Sequence, residues 1–470
     1  MKKLVISRKT MKRPQQLNLT SGAILPLLTR LTLPIIGSSF LQMLYNLTDM
    51  FWLGRLNAAS LAGAGIGGFM LWIMSSLGTL TRSAAITAGS NARGKKNDNE
   101  ILRIAALMLF WTLLLSAAIT AVLLTSAKSL IALFSLADSA ANGEALRYIR
   151  ISAAGSLFLL LFPALSSFSI GQGDSRTPFT ASLVSVGLNI VLDPLLIFTF
   201  GMEAAGAAWA TVSANLVGTL ILIRPLAPWF RLTLRPKLYL YGSRNFLRLG
   251  LPQCAESTLY AGFTMVVGMF LGRFGARVLA ANSLGAQVES LTWMIAVGLG
   301  SAATSFIGQN WGATRYDRIL RGYKSILLIT LAYSIAIAIW FYFFPGAVSS
   351  IFTDQPDVHA KSIEYFRILA WSQPLMAIEI AIGGAFRGIQ KPGFPAVVSA
   401  IITLTRLPLS WLCLRAGFSY QAIWWIISGT SIAKGLVIGG CFIPMFKLAL
   451  AATGQTRKTK SFRRPPINRS

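Results

Sequence analysis

The chain has 470 residues, of which 54% are hydrophobic and only 12% charged, about half the ~25% charged share of soluble domains. A net charge of +28 would suggest nucleic acid as a partner in a soluble protein. Here the basic residues fall between apolar runs on alternate loops, as in a multi-pass membrane protein, so no nucleic-acid partner is expected. Cys254, Cys413 and Cys441 all fall in apolar segments and show neither a disulfide framework nor metal-ligand spacing.

Apolar runs long enough to cross a bilayer, which needs ~20 residues per helix, predict twelve spans. In chain order they cover roughly 24–54, 59–90, 101–125, 147–172, 177–200, 204–230, 243–272, 277–308, 319–344, 363–388, 393–416 and 420–448. The first run carries Arg30 and Asp49 and lacks a small-residue cleavage site, so it does not resemble a cleavable signal. Lys and Arg concentrate in the tail before helix 1, in the even-numbered loops and in the final tail, whereas Glu203, Asp354 and Asp357 fall in odd loops. The positive-inside rule then puts both ends in the cytoplasm. The expected organisation is a basic cytoplasmic tail (1–20), a six-helix lobe (21–230), a basic cytoplasmic linker (231–245), a second six-helix lobe (246–450) and a second basic tail (451–470). The basic tails suit anionic membrane lipids, but a topology signal is the simpler reading.

The second half repeats the first. Leu33-Pro34 returns as Leu251-Pro252, Leu53-Gly54-Arg55 as Leu271-Gly272-Arg273, and Ser83-Ala84-Ala85 as Ser301-Ala302-Ala303, each 218 positions later. Tyr148-Ile149-Arg150-Ile151 matches Tyr365-Phe366-Arg367-Ile368 at 217, and Pro194 matches Pro408 at 214. An even number of spans per half makes these parallel repeats, related by an axis along the membrane normal. A duplicated membrane chain of this kind points to a transporter with its site between the halves. The expected fold is all-α and integral to the membrane: twelve transmembrane helices in two pseudo-symmetric lobes.

Two motifs are discounted. Gly89 to Lys96 approaches a phosphate-binding loop, but Lys96 stands where Ser or Thr must hold magnesium, and a membrane helix precedes it. Gly63-Ala-Gly65-Ile-Gly67-Gly68 fits GxGxxG within an apolar span, where small residues let helices approach closely.

Polar groups in the spans carry the chemistry, because placing them in lipid is costly. Asp49 lies in helix 1. Asn189 and Asp193 are four apart on helix 5, and Thr211 and Asn215 four apart on helix 6, so each pair shares a helical face. These oxygens suit a hard cation such as Na+. Alternatively, a carboxyl in apolar surroundings can carry a proton, and a hydrogen-bonded structural network is a third reading. In the second half Leu407 stands where Asp193 would repeat, and Arg406 precedes it. The intramembrane carboxylates there are Glu256, Glu289 and Glu379, each read either as lining a cavity or as one half of a structural pair. Arg82 and Arg406 are expected to pair with carboxylates. The aromatics and Met43, Met74, Met265 and Met294 are packing residues or cavity lining. No cofactor motif is present, and the single His, His359, falls on an outer loop, so no enzyme is expected.

Asn189-Ile-Val-Leu-Asp193-Pro194 resembles the helix 5 signature of multidrug and toxic compound extrusion (MATE) transporters. Tyr45 to Leu56 is similar to the family's helix 1, Gly171 to Pro178 to its loop between helices 4 and 5, and Gly206 to Thr211 to its helix 6. The resemblance covers about 20–450. It implies antiport: export of cationic or amphipathic small molecules driven by inward Na+ or H+, with no cofactor. It places a cation-coupling site at Asp49, Asn189, Asp193 and Thr211. One branch has a Glu in helix 7 and an Asp in helix 10. Glu256 stands about a turn before the first, and Glu379 either replaces the second or is shifted in register. The pattern implies the DinF-like branch, working as a monomer in a bacterial inner membrane. The rival reading is a flippase for lipid-linked saccharides, whose families resemble this one in lobe architecture and which an Arg-rich cavity would favour.

Overall fold

The structure, a computed structural model, describes residues 16–56, 58–132, 138–230 and 236–452. The basic residues expected in the tails at 1–15 and 453–470, together with Arg231 and Arg235 of the linker, lie outside the described residues.

The first half contains α1 (Ile24–Leu53), α2 (Ala58–Gly94), α3 (Asp98–Ala132), α4 (Ser139–Ala154), α5 (Ser156–Gly171), α6 (Arg176–Pro194, continued by a π-helical turn over Leu195–Thr199) and α7 (Glu203–Phe230). The second contains α8 (Pro236–Gly272), α9 (Ala276–Gly312), α10 (Tyr316–Phe343), the short α11 (Pro345–Ser350), α12 (Pro356–Ala370), α13 (Gln373–Gly388), α14 (Gly393–Leu404), α15 (Arg406–Arg415) and α16 (Tyr420–Ala452). Among the described residues there is no strand. Ten helical segments have the length and hydropathy to cross a membrane, and two bent pairs, α4–α5 and α12–α13, bring the number to twelve. Large apolar side chains such as Leu33, Val122, Leu328 and Ile401 remain exposed, as expected where lipid replaces water.

The bends are the main departure from the predicted spans. Expected spans at 147–172 and 363–388 are in fact helices that start earlier and break, by 53° at Gly155 and by 55° between Ala370 and Gln373. Gly155 is needed because a Cβ there would lie 2.3 Å from Val212 Cγ2 on α7. In the second half Pro374 enters α13 in its first turn, and its missing N–H and ring bulk prevent a continuous helix through the break. The span expected at 393–416 is also interrupted, at Thr405, between α14 and α15. The stretch expected as a linker over 231–245 enters α8 at Pro236.

α2 packs along both α8 and α9, and α1 along α9, so the halves meet through their first two helices. The join is closest at the ends of α2 and α9, where a Cβ on Gly94 would fall 2.0 Å from the Gln309 carbonyl oxygen. Ser305 Oγ donates to the Ile170 carbonyl at 2.7 Å, and Gln309 Nε2 to that of Gly171 at 3.0 Å. The described part of the expected N-terminal tail also joins the halves. Leu17 N donates to the Gly173 carbonyl at 3.1 Å, Leu19 is fully buried, and Asn310 and Arg318 donate to the carbonyls of Leu19 and Gly22 at 3.1 and 2.8 Å. Within the second half, α9 and α13 touch backbone to backbone: a Cβ on Gly384 would lie 2.0 Å from the Gly300 carbonyl oxygen. Gly384→Ala is therefore expected to cost about 1–3 kcal/mol through overpacking, read as a lower thermal unfolding midpoint in detergent.

The two discounted motifs are helix parts. Gly89 to Gly94 ends α2, and Lys96 takes a positive φ of 55° in the turn that follows. Gly63 and Gly67 face α4, and a Cβ on Gly67 would fall 2.2 Å from the Tyr148 ring.

Candidate functional site

The first half brings its four candidate residues together. Asp49 comes from the last turns of α1, Asn189 and Asp193 from the end of α6, and Thr211 from α7. Asn189 Nδ2 donates to Asp193 Oδ1 at 3.1 Å, as their four-residue spacing allows. Thr211 Oγ1 donates to Asp49 Oδ2 at 3.4 Å, and the Asp49 carboxyl lies beside Asp193 and Asn189. Asn189 and Asp193 are fully buried and Thr211 nearly so, while Asp49 is part-buried. Asp49 Oδ1, Asp193 Oδ2 and Asn189 Oδ1 are buried oxygens without a hydrogen-bond partner. No described cation forms an ion pair with either carboxylate. Two acids, a carboxamide oxygen and a hydroxyl form a hard oxygen set suited to an alkali cation or a proton. No group of three His, Cys, Asp or Glu that could hold a metal exists among the described residues, so the donor set does not fit a transition metal. Asn215, the other half of the expected α7 pair, turns its Nδ2 to the Thr211 carbonyl at 2.9 Å.

Two tyrosines that sequence reasoning missed complete the cluster. Tyr45, one turn before Asp49 on α1, and Tyr148 of α4 are both buried beside Asp49, Asp193 and Thr211. Gly67 makes room for Tyr148. The repeat contained a signal for it: Gly285, 218 residues after Gly67, in the same way makes room for Tyr365, whose hydroxyl donates to Glu289 Oε2 at 3.2 Å. Removing a single hydroxyl from such a network is worth ~0.5–1.5 kcal/mol. Tyr148→Phe should thus weaken the half-saturating concentration of the coupling ion roughly two- to tenfold, measured as ion-dependent transport.

The second half is built differently. Lys434 Nζ of α16 pairs with Glu379 Oε1 at 3.0 Å, both side chains under 10% exposed. Ser399 Oγ donates to the same oxygen at 2.5 Å. Glu256 faces Glu379, Lys434 and Arg387, and accepts from Gln253 Nε2 at 3.1 Å. Arg387 Nη1 donates to Gln253 Oε1 at 2.6 Å. Glu289 accepts from Tyr365 and, at 3.1 Å, from Gln373 Nε2. Glu256 and Glu379 therefore share one network, and Glu289 sits in an adjoining one. Lys434, Arg387 and Gln253 were missed in the sequence. Two expectations are corrected. Arg406 has no ion-paired carboxylate among the described residues; its guanidinium reaches Thr430 Oγ1 at 2.8 Å and Ser431 Oγ at 2.9 Å, because the break before α15 turns it toward α16. Arg82, half-buried on α2, also has no ion pair among the described residues.

The MatE family model matches the chain twice, over residues 34–195 and 252–412. The chain belongs to the MatE family. The two matches start 218 residues apart, at Pro34 and Pro252, so each repeat is one MatE unit. Among curated relatives of this MatE-family chain, a probable multidrug resistance protein NorM of Thermotoga maritima is 28% identical over 400 residues, covering 83% of this chain and 85% of the relative. The probable multidrug resistance protein YpnP of Bacillus subtilis is 24% identical over 383 residues, 78% of this chain and 83% of the relative. Among solved structures, a MATE transporter in a bent conformation superposes with a TM-score of 0.86 at 20% identity, covering 94% of this chain and all of the other. A MOP-superfamily transporter of Pyrococcus furiosus, described as having a binding pocket of reversed polarity, gives 0.85 at 21% identity, covering 95% of this chain and all of the other. The MatE chain thus has the two-lobed, all-helical MATE transporter fold.

Proposed function

We propose that this MATE-family transporter exports cationic or amphipathic small molecules by antiport with Na+ or H+, and that Asp49, Asn189, Asp193 and Thr211 bind the coupling ion. The observation that carries this reading is the pair of carboxylates in the first lobe, held together with no counter-cation among the described residues. Two like charges in a low-dielectric interior repel strongly, so a cation or proton placed between them stabilises the closed cluster. Occupation then alters the packing of α1 against α6 and α7, and any coupling to the substrate must be reciprocal. The multidrug names of the curated relatives support the substrate class. We also assign the chain to the DinF-like branch, acting as a monomer in a bacterial inner membrane with lipid around it and both ends in the cytoplasm. The lobe boundaries proposed are those of the sequence pattern, 21–230 and 246–450.

The test is cationic-dye movement in proteoliposomes under separately imposed Na+ and H+ gradients. Movement driven by one of them identifies the ion; movement under neither, with the protein verified as folded, rejects antiport. One observation keeps the flippase reading in play: neither Arg82 nor Arg406 has an ion pair among the described residues, and such guanidinium groups suit phosphate. Gradient-independent translocation of a lipid-linked saccharide in the same vesicles would favour it.

A further inference from the structure

Beneath the acid cluster lies a small polar chamber, lined by Ser38, Gln42, Tyr45, Ser182, Ser185 and Asn215, with Phe162 and Val186 completing the wall. Its volume open to water centres is about 20 Å³, above the ~10–15 Å³ that one water needs. Tyr45 joins it to the cluster: the buried side chain both lines the chamber and stands beside Asp49, Asp193 and Thr211. Ser185 Oγ and Asn215 Nδ2 donate to the backbone carbonyls of Ala214 and Thr211, and Ser38 Oγ to that of Pro34. Their oxygens remain free to accept from water or to face a cation.

The polar residues run the same way on three helices. Ser38 and Ser182 each stand eleven positions before the carboxylate of their own helix, Asp49 or Asp193, about 16 Å at ~1.5 Å per residue. On α7, which runs in the opposite sense, Asn215 follows Thr211. All three therefore point from the cluster toward the side that the positive-inside rule assigns to the cytoplasm. Just beyond the chamber α1 and α6 close on each other: a Cβ on Gly37 would lie 2.7 Å from the Phe179 ring. Lining a buried space with hydroxyls and amides rather than apolar side chains carries a desolvation cost, which a hydrated route for an ion would offset.

We infer that this chamber is a water-filled passage through which the cation, Na+ or H+, leaves the acid cluster toward the cytoplasm inside the first lobe, with Phe179 on Gly37 as its gate. It rests on the coupling site proposed above and adds that the ion and the exported molecule leave by different routes.

The test uses the full chain with Cys254, Cys413 and Cys441 replaced by Ala and a single new thiol, Ser182→Cys or Ser38→Cys. Ag+, a thiol-reactive cation of alkali-metal size, is added to inside-out or right-side-out vesicles, and the remaining free thiol is titrated after denaturation. The expected result is modification at least about tenfold faster from the cytoplasmic face, and faster still with Phe179→Ala. Equal rates from both faces, faster reaction from outside, or a thiol that reacts only after denaturation would overturn the passage. Asp193→Asn in parallel separates the two ideas. Ion-driven transport that survives it removes the coupling site, whereas transport lost in it without one-sided thiol reactivity removes the passage alone.

Discussion

Asp193→Asn is expected to abolish ion-driven transport while leaving the fold intact. Asp193 is fully buried, and its Oδ1 accepts from Asn189, a bond that a carboxamide of the same size can keep. What disappears is one of two negative charges facing the cation. Removing one member of a buried charge pair costs about 2–5 kcal/mol, roughly a 30-fold or greater loss of ion affinity. The readout is dye flux under the driving gradient, with the unfolding midpoint as control. Flux close to that of the unaltered protein would exclude Asp193 from coupling. Asp49→Asn is expected to act in the same direction, since Asp49 faces the same space from α1.

Lys434→Met should produce the largest loss of stability in the second lobe. Both side chains of the Lys434–Glu379 pair are buried, and Glu256 stands next to it. Without the ammonium group two carboxylates face each other in the interior. Breaking a buried pair from one side costs about 3–5 kcal/mol, whereas replacing both partners by neutral groups is often nearly neutral. Lys434→Met combined with Glu379→Gln should accordingly recover most of the unfolding midpoint lost in the single variant. A double variant no more stable than the single would show that packing, not charge, makes Lys434 indispensable.

The legible parts of this molecule were those with a strong one-dimensional signal. Long apolar runs and a period of 218 gave the spans and the duplication. The first-lobe cluster was legible because carboxylates within apolar spans are rare, and because Asn189 and Asp193 share a helical face. The bends were not, since Gly155 and Pro374 sit in segments long enough to read as single spans, and a break leaves the 217–218-residue repeat unchanged. Tyr45 and Tyr148 escaped because aromatic residues are ordinary in membrane helices; only the shared glycine partners, Gly67 and Gly285, mark Tyr148 as special. Lys434 should have been seen, because the rule that singled out Glu379 applies equally to a lysine inside α16. The partners of Arg82 and Arg406 were misjudged for another reason. Pairing across helices depends on rotation about each axis, which spacing along one chain does not specify.

The two lobes share a fold but not an electrical character. Glu256, Glu289 and Glu379 are matched in number by Arg387, Arg406 and Lys434, all carried by the second lobe itself, whereas Asp49 and Asp193 form no ion pair with any cation among the described residues, Arg82 of their own lobe included. Under the proposed coupling, the inside-negative membrane voltage therefore pulls on the contents of one lobe and finds the other already neutral. At about 2.3 kcal/mol per charge per 100 mV, the duplicated halves would behave as an engine with one working cylinder, the second turning with it as a counterweight.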